Sequence, residues 1–486
     1  MTFRLIKETN VREITNVKEP AEIAVTGRII HTMREGLGFN WFSCYEPETY
    51  PAPGDEERWK TIFRHAEWLN MCFVRFGVVG AHDEEGNFRP VPPAAFEQLR
   101  RLNAWAEERG VSVVLDPFGI PRSFQYEPWE GAPHPWHLTE GYHLGVKDID
   151  RYVAHFVVPF VEYVVREMGC RAVRWFNHVN EPLMGNICAT PPGIDDHARY
   201  VEVLAAIRQG LDEAGLSEIG NLGPDTASHR YWPIPRMLEM GVDPDPYLQG
   251  YSMHHYHSRF DWAAPVPNVE SDPMSVTIEE QLTKYRDYAA ARGKPYFVNE
   301  LGMFQYGWAY GDPAGVARHD NVLLETEFIV RALGKGVDGI LRWAWLNPGT
   351  HDGWWQLVQT VDGSDAPVRD PYYGYGTLMR HVGLRARILE TSVRYRQNSL
   401  RTVHATAVEN DDGSRTLLVI NDSYDNCARI DVKFSTGKLS PLRKIVNDPV
   451  RKYHDCGELD VKGGEAEFED LLSPMSLTVY TTSQKL

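Results

Sequence analysis

Short apolar runs alternate with longer helical patterns from about residue 37 to residue 382, and this alternation predicts a (β/α)₈ barrel. Eight of the runs are rich in β-branched and aromatic residues, as strands are, and the segments between them are long enough for helices. After residue 388 the pattern changes to short runs of period two, which is typical of an all-β domain. The predicted fold is therefore an α/β (β/α)₈ barrel with a C-terminal β-sandwich domain.

The spacing of the strand candidates leaves room for a helix between most neighbours. The strand candidates are Leu37–Ser43, Cys72–Val79, Val111–Leu115, Ala172–Asn177, Glu218–Leu222, Leu248–His255, Pro295–Asn299 and Asp338–Trp345. The helix candidates, several with apolar residues at i, i+3, i+4 and i+7, are Arg58–Leu69, Ala94–Arg109, Asp148–Glu167, His197–Ala214, Ile278–Arg292 and Asn321–Gly334. No glycine-rich phosphate loop follows the first strand, so a doubly wound sheet is the less favoured alternative.

Two domains are expected from these patterns. The barrel is assigned to residues 1–388, with residues 1–30 as an N-terminal extension that packs on it. The β-sandwich is assigned to residues 389–486, where structural support of the barrel is favoured over a carbohydrate-binding role. Its strand candidates are Ser399–Ala407, Arg415–Asn421, Ala428–Phe434, Leu459–Val461 and Ser476–Thr482.

Composition excludes several classes of partner. The formal net charge of the 486 residues is -17, and no lysine- or arginine-rich run is present, so nucleic acid is not an expected partner. No apolar run reaches transmembrane length, so no membrane partner is expected. The start of the chain lacks an apolar stretch of signal-peptide length, and a cytoplasmic location is expected. The six cysteines form no metal-binding spacing and are expected to be reduced; oligomeric state is left open.

Two aromatic-rich runs end in Asn-Glu and supply the candidate catalytic groups. The run Trp175–Pro182 places Glu181 at the end of the fourth strand, and the run Tyr296–Gly302 places Glu300 at the end of the seventh. Catalytic groups of barrels lie at the carboxyl ends of strands, and strands three apart in a ring of eight lie nearly opposite. We therefore expect the two carboxylates to face each other across one pocket. Paired carboxylates are the catalytic groups of glycoside hydrolysis.

An arginine inside an apolar strand supports the same interpretation. Arg75 lies in the run Phe73–Phe76, where an unpaired cation would be costly to bury. A buried anionic partner is therefore expected. A nucleophilic carboxylate needs such a cation to stay ionised, so Arg75 is expected to contact the catalytic site.

With Asn180-Glu181-Pro182 after strand four and Glu300 after strand seven, the chain resembles the retaining (β/α)₈ glycoside hydrolases of clan A. The resemblance covers roughly residues 30 to 385. It implies that Glu181 is the acid/base, that Glu300 is the nucleophile, and that Asn180 binds the 2-hydroxyl of the sugar. It further implies a β-linked carbohydrate substrate and no metal or organic cofactor.

The sixth strand is similar to the His-x-Tyr motif of family 5 within that clan, through His254 and Tyr256. Both side chains share one face of the strand, and Tyr256 would touch the nucleophile. The family also implies a tryptophan floor for the sugar at strand eight, for which Trp345 is chosen over Trp343. One departure is that Val113–Gly119 has no histidine where family 5 usually carries one.

Further aromatic residues after the last two strands are candidate substrate contacts: Trp308 and Tyr310 after strand seven, and Trp354 and Trp355 after strand eight. The expected function is thus a retaining glycosidase acting by double displacement. Asp116 and Asp225 also lie near strand ends and are interpreted as structural or sugar-binding rather than catalytic.

Two alternatives stay open. The first is a non-catalytic carbohydrate-binding barrel protein, against which the two intact glutamates argue. The second is a metal-dependent barrel hydrolase that uses the imidazoles of His254, His255 and His257. Such barrels usually carry His-x-His after the first strand, and Gly38–Ser43 contains no histidine.

Overall fold

The structure is a computed structural model. It describes residues 19–42, 54–132, 144–183, 188–226, 233–257, 277–303, 318–346, 355–360, 363–397, 399, 401–435, 441–459, 461 and 466–483. The predicted substrate contact Trp308, with Tyr310 and Trp354, lies outside the described residues.

Eight parallel strands close into a barrel in chain order, which confirms the predicted (β/α)₈ fold. The chain enters it after a first strand, β1 (Ala21–Thr32), that belongs to a second sheet. The barrel strands are β2 (Leu37–Phe42), β3 (Phe73–Gly77), β4 (Ser112–Asp116), β5 (Val173–Phe176), β6 (Gly220–Thr226), β7 (Gly250–His257), β8 (Tyr296–Met303) and β9 (Gly339–Arg342).

Helices connect the barrel strands and pack around them. They are α1 (Glu56–Trp68), α2 (Pro93–Arg109), α3 (residues 149–167, with π-helical turns at Val153–Val157 and Tyr163–Glu167), α4 (Asp196–Glu213), α5 (Ile234–Glu239), α6 (Ile278–Ala290), α7 (His319–Gly334) and α8 (Arg369–Met379). Local sequence fixes their ends. A capping box of Thr277 and Glu280 starts α6, and Gly110, in the left-handed conformation, ends α2.

A nine-stranded sheet forms the second domain. After a two-stranded ribbon of β10 (Val358–Gln359) and β11 (Ala366–Pro367), its strands are β12 (Arg387–Tyr395), β13 (Val403–Glu409), β14 (Arg415–Asn421), β15 (Ala428–Phe434), β16 (Leu442–Asn447), β17 (His454–Leu459), β18 (Ala466–Leu472) and β19 (Ser476–Thr481). The order is β17-β16-β19-β14-β13-β12-β1-β15-β18. Tyr480 of β19 packs on Phe468 of β18 with ring centroids 4.8 Å apart, so the sheet folds back on itself as a sandwich.

The N-terminal strand corrects the predicted domain division. β1 pairs antiparallel with β12, so that Ala21 lies opposite Tyr395. On its other side β1 pairs parallel with β15, so that Ala21 also lies opposite Ile430. Its alternate residues Ala21, Ile23 and Val25 are buried in the core of the β domain. Residues 21–32 therefore belong to the second sheet, although His31 near their end still contacts Asp338 of the barrel at 3.1 Å.

Two chemical expectations can be compared with the described residues. Among the described residues, Cys72, Cys170, Cys188, Cys427 and Cys456 are not joined in disulfides, while Cys44 lies outside the described residues. No helix in the described part of the chain is both long and apolar enough to cross a membrane.

Candidate active site

A layer of polar side chains lies directly above an apolar layer inside the barrel. The apolar layer contains Phe73, Val114 and Trp175 from three adjacent strands. Because strand side chains alternate, the residues two positions further along point to the same interior. Those residues are Arg75, Asp116 and Asn177, and all three are fully buried.

Arg75 is the central cation of this layer. Its Nη1 donates to Glu300 and, at 3.2 Å, to Asn40 on β2. Its Nη2 donates to Asn180 Oδ1 at 2.6 Å, and its Nε donates to Asp116 Oδ2 at 2.7 Å. Burial alone lowers the pKa of Arg75, but the Asp116 and Glu300 carboxylates raise it above its ordinary value. Arg75 is thus a permanent cation that holds Glu300 and Asn180 in place.

The two glutamates meet at the mouth of the barrel. Glu181 follows β5 and is 8% exposed, whereas Glu300 lies within β8 and is 4% exposed. An oxygen of each carboxylate and Nδ1 of His254 lie within 4.8 Å of one another. The structure therefore brings together the two candidate catalytic residues, and both retain a small exposed surface.

His254 bridges the carboxylates. Its Nδ1 lies 2.9 Å from Glu181 Oε1 and 3.3 Å from Glu300 Oε2, and its Nε2 lies 3.1 Å from Asp225 Oδ2. Both ring nitrogens face acceptors, an arrangement that requires an imidazolium. Burial lowers the pKa of His254, but Glu300 and Asp225 raise it to about 10 overall. Conversely, burial raises the pKa of Asp225, yet the His254 charge brings it to about 2.

Tyr256 lies on the same side of β7 as His254. Its hydroxyl donates to Glu300 Oε2 at 2.7 Å, so Glu300 contacts three donors: Arg75, His254 and Tyr256. Burial raises the pKa of Glu300 above its ordinary value, and Glu181 adds to this rise, whereas His254, Arg75 and Tyr256 oppose it.

Residues in left-handed conformations follow three adjacent barrel strands. They are Phe118 after β4 (φ 66°), Glu181 after β5 (φ 49°) and Asp225 within the end of β6 (φ 54°). Non-glycine residues in this region cost roughly 1–3 kcal/mol and cluster at functional sites. Here the conformation occurs at Glu181 and at the aspartate that binds His254.

Aromatic side chains line the side of the site next to Glu300. Tyr256, Phe118, Trp343 and Trp355 form one cluster, in which the Tyr256 and Trp355 rings meet edge to face at 6.1 Å. Trp355, predicted from sequence as a substrate contact, lies beside Tyr256.

Trp345, chosen from sequence as the sugar floor, lies elsewhere. It is 0% exposed and packs edge-on against Trp41 at 4.6 Å, so it cannot contact a ligand in this structure. Trp343 is 6% exposed and belongs to the cluster around Tyr256. The reason is that β9 ends at Arg342, so strand alternation does not extend to these tryptophans. Trp343, not Trp345, is therefore the better candidate for the floor.

The histidines that could suggest a metal site are separated. His254 points into the barrel, whereas His255 Nε2 contacts the Tyr296 hydroxyl at 2.8 Å and its ring packs on Phe328 outside the barrel. Among the described residues, two sets of side chains are close enough to hold a metal ion: Glu181, His254 and Glu300 in the site, and Glu327, His404 and Asp422 elsewhere. A metal would have to displace the His254 proton and compete with Arg75 for Glu300.

Sequence reasoning missed two amides of the polar layer. Asn177 Nδ2 donates to Asp116 Oδ2 at 3.0 Å and to Asp225 Oδ2 at 2.8 Å, and thereby links the two buried aspartates. Asn40 Nδ2 donates to the Asn299 carbonyl at 2.9 Å, next to Glu300. An asparagine within an apolar strand is the signal that would have revealed Asn40, by the reasoning applied to Arg75.

We expect Asp225→Asn to lower the free energy of unfolding. We also expect this free energy to change less with pH in the alkaline range than it does in the wild type. The pKa of His254, ordinarily 6.5, is about 10 in the folded protein, so its contribution is complete below about pH 6.5 and is lost as pH rises through 10. Removing one neighbouring carboxylate lowers that pKa, so the loss still begins near pH 6.5 but is smaller and is complete at a lower pH. The measurement is the free energy of unfolding in denaturant between about pH 6 and about pH 10.

Asp212→Asn is the matched control, because Asp212 pairs at 2.7 Å with Arg208, which does not titrate in this range. An alkaline stability profile of Asp225→Asn that parallels the wild-type profile would show that His254 is not a buried cation.

No protein-family model matches the sequence, and no curated protein matches it significantly. The fold is similar to a family 30 endoxylanase from Clostridium papyrosolvens, with TM-score 0.65 and 14% identity over 95% of this chain and 99% of that chain. It is also similar to the catalytic domain of a family 30 xylanase from Talaromyces cellulolyticus, with TM-score 0.66 and 13% identity over 95% and 99%.

An endo-β1,6-glucanase is similar too, with TM-score 0.63 and 14% identity over 96% of this chain and 94% of that chain. At these identities the comparisons show a shared fold. They confirm, at the level of fold, the resemblance to clan A hydrolases, although the two xylanases belong to family 30 and not to family 5. The chain thus shares with these hydrolases the fold of a (β/α)₈ barrel with an attached β domain.

Proposed function

We propose that the protein is a retaining glycoside hydrolase that cleaves a β-linked glycoside or oligosaccharide. The observation that carries the proposal is the pair Glu181 and Glu300, whose closest oxygens lie within 4.8 Å at the mouth of the barrel. Retaining enzymes hold their carboxyl groups about 5–5.5 Å apart, whereas inverting enzymes separate them by about 6.5–9.5 Å to fit a water molecule. The close approach of these two oxygens supports the retaining arrangement.

The hydrogen bonds assign the roles. Glu300 accepts hydrogen bonds from Arg75 and Tyr256 and also contacts His254, and these three donors oppose the rise that burial causes in its pKa and fix its carboxylate in place. Glu181 contacts only His254 among these three donors and has the larger exposed fraction. Glu300 is the nucleophile, and Glu181 is the acid/base.

The reaction follows as a double displacement. Glu300 attacks the anomeric carbon while Glu181 protonates the leaving oxygen, and a glycosyl ester forms on Glu300. Glu181, now ionised, removes a proton from water, which attacks the anomeric carbon and releases the sugar with its original configuration. His254 contacts both carboxylates and therefore stabilises whichever of them carries the charge at each step.

Other site residues bind the sugar in this proposal. Arg75 occupies Oδ1 of Asn180, which leaves the amide nitrogen of Asn180 as the donor for a ligand hydroxyl. Trp343 offers a flat ring on which the apolar face of a sugar can pack. The similar structures support a carbohydrate substrate, since their names describe xylanases and a β1,6-glucanase.

The test is hydrolysis of a panel of aryl β- and α-glycosides, with the anomeric configuration of the first product followed by NMR. Turnover of a β-glycoside with retained configuration is the expected result. An inverted product, or turnover of α-glycosides alone, would contradict the proposal. Saturable sugar binding without any product would favour a non-catalytic carbohydrate-binding protein.

The convergence of Glu181, His254 and Glu300 keeps a metal-dependent hydrolase as a second candidate. Elemental analysis of the purified protein and activity after treatment with a chelator distinguish the two. The proposed mechanism predicts full activity in chelator. Stoichiometric metal, together with activity lost in chelator and restored by that metal, would favour the second candidate.

A further inference from the structure

A buried ion pair lies behind the aromatic side of the site. Arg342, the last residue of β9, is 1% exposed, and its Nε donates to Glu325 Oε2 of α7 at 3.0 Å. The Tyr375 hydroxyl of α8 donates to the same oxygen at 2.8 Å. Such pairs add little net stability, because removing both charges from water costs about as much as their attraction returns. Stability alone therefore does not account for Arg342.

Arg342 also donates hydrogen bonds to the backbone of residues in the aromatic cluster beside the site. Its Nη1 donates to the Ala344 carbonyl at 3.1 Å and to the Trp355 carbonyl. Ala344 N also donates to the Trp355 carbonyl, at 3.4 Å. One guanidinium thus joins the backbone of Ala344, just after β9, to the backbone of Trp355, 11 residues later in sequence.

Trp355 in turn confines Tyr256. The two rings meet edge to face, and both lie against Gly302 of β8. A Cβ at position 302 would lie 2.6 Å from Tyr256 Cε1 and 2.9 Å from Trp355 Cζ3, so no space is left between them. A shift of the Trp355 backbone would therefore release the Tyr256 ring, whose hydroxyl donates to Glu300.

We infer that Arg342 is a positioning residue that, through the Trp355 carbonyl, fixes Tyr256 against the nucleophile Glu300. This inference rests on the proposed function of Glu300. It extends the active site to a residue that does not face the pocket, and it names Glu325 and Tyr375 as the groups that orient the guanidinium.

Arg342→Lys is the test variant. Lysine keeps a cation for Glu325 but has no planar fork with which to bind Glu325 and two carbonyls at once. Arg208→Lys is the matched control, because Arg208 is also buried and donates to the Ile219 carbonyl at 2.7 Å and to Asp212, far from the site. If Arg342→Lys does not fold, the double variant with Arg342→Met and Glu325→Gln, which removes both charges, is used as the test variant.

A double-mutant cycle with Tyr256→Phe separates positioning from general damage. We expect Arg342→Lys to lower kcat roughly 10- to 100-fold, since small misplacements of catalytic groups have effects of this size. In the Tyr256→Phe background the same change should have a much smaller effect on kcat. Arg208→Lys should leave kcat within about twofold. Equal effects of Arg342→Lys in both backgrounds would overturn the inference.

A second measurement does not depend on activity. The 14 tryptophans are labelled with 5-fluorotryptophan, and the ¹⁹F resonance of Trp355 is assigned with Trp355→Phe. Arg342→Lys should shift this resonance, and Arg208→Lys should not. An unchanged Trp355 resonance in Arg342→Lys would overturn the inference even if activity fell. Absence of any glycosidase activity in the wild type would instead contradict the proposed function, and the resonance would still decide whether Arg342 positions Trp355.

Discussion

Replacement of Glu300 by alanine is expected to abolish turnover. Without the carboxylate no glycosyl ester can form, so the first step of the double displacement cannot take place. The expected loss in kcat is on the order of 10⁴-fold or more. The measurement is steady-state hydrolysis of the best aryl β-glycoside by wild-type protein, Glu300→Ala and Glu300→Gln.

Substitution of another buried glutamate, Glu35, serves as the control for Glu300→Ala. Glu35 is 4% exposed and accepts a hydrogen bond at 2.9 Å from Trp175 Nε1, below the apolar layer of the barrel interior. Glu35→Gln retains an acceptor oxygen and should keep activity within a fewfold of wild type. Full activity in folded Glu300→Ala protein would refute the assignment of the nucleophile.

Replacement of Glu181 by alanine should have a large but substrate-dependent effect. General acid–base catalysis contributes typically about 10²–10⁴-fold. Substrates with poor leaving groups need protonation of the leaving oxygen, so their hydrolysis rate should fall by the full factor. Activated aryl glycosides need this protonation less, so the rate of their first step should fall by less. For activated substrates, azide can replace the water that Glu181 would otherwise activate. Azide should therefore restore part of the activity of Glu181→Ala and yield a β-glycosyl azide.

The wild type serves as the control, since azide should not accelerate it. Glu300→Ala distinguishes the two positions, because azide that enters the space left by the Glu300 carboxylate should give an α-glycosyl azide by a single displacement. An α-glycosyl azide from Glu181→Ala would indicate a single displacement and would contradict the double displacement. No effect of azide together with equal losses for activated and unactivated substrates would show that Glu181 is not the acid/base.

The barrel could be predicted from sequence because its determinants are local. Apolar runs such as Cys72–Val79 and Pro295–Asn299 overlap β3 and β8, and helix periodicity placed α2 within one residue of its observed start. Arg75 shows that a single residue can also be informative. A cation inside an apolar strand requires buried anions, and the structure supplies Asp116 and Glu300.

The parts that were missed depend on contacts distant in sequence. β1 enters the second sheet by pairing Ala21 with Tyr395, and no local pattern records such a partner. The bridge of His254 between Glu181, Glu300 and Asp225 joins three different strand ends. The choice of Trp345 over Trp343 was wrong because the predicted strand Asp338–Trp345 ends at Arg342, and Trp345 beyond it packs against Trp41.

The most direct test of the central claim is to trap the glycosyl-enzyme. A 2-deoxy-2-fluoro glycoside with an activated leaving group, carrying the sugar of the best aryl β-glycoside, slows both steps but slows hydrolysis of the intermediate more. The account predicts stoichiometric inactivation of the wild type, a mass increase of one fluorosugar on the peptide that contains Glu300, and no labelling of Glu300→Gln. Labelling of a different residue, or inverted product without any labelling, would contradict it.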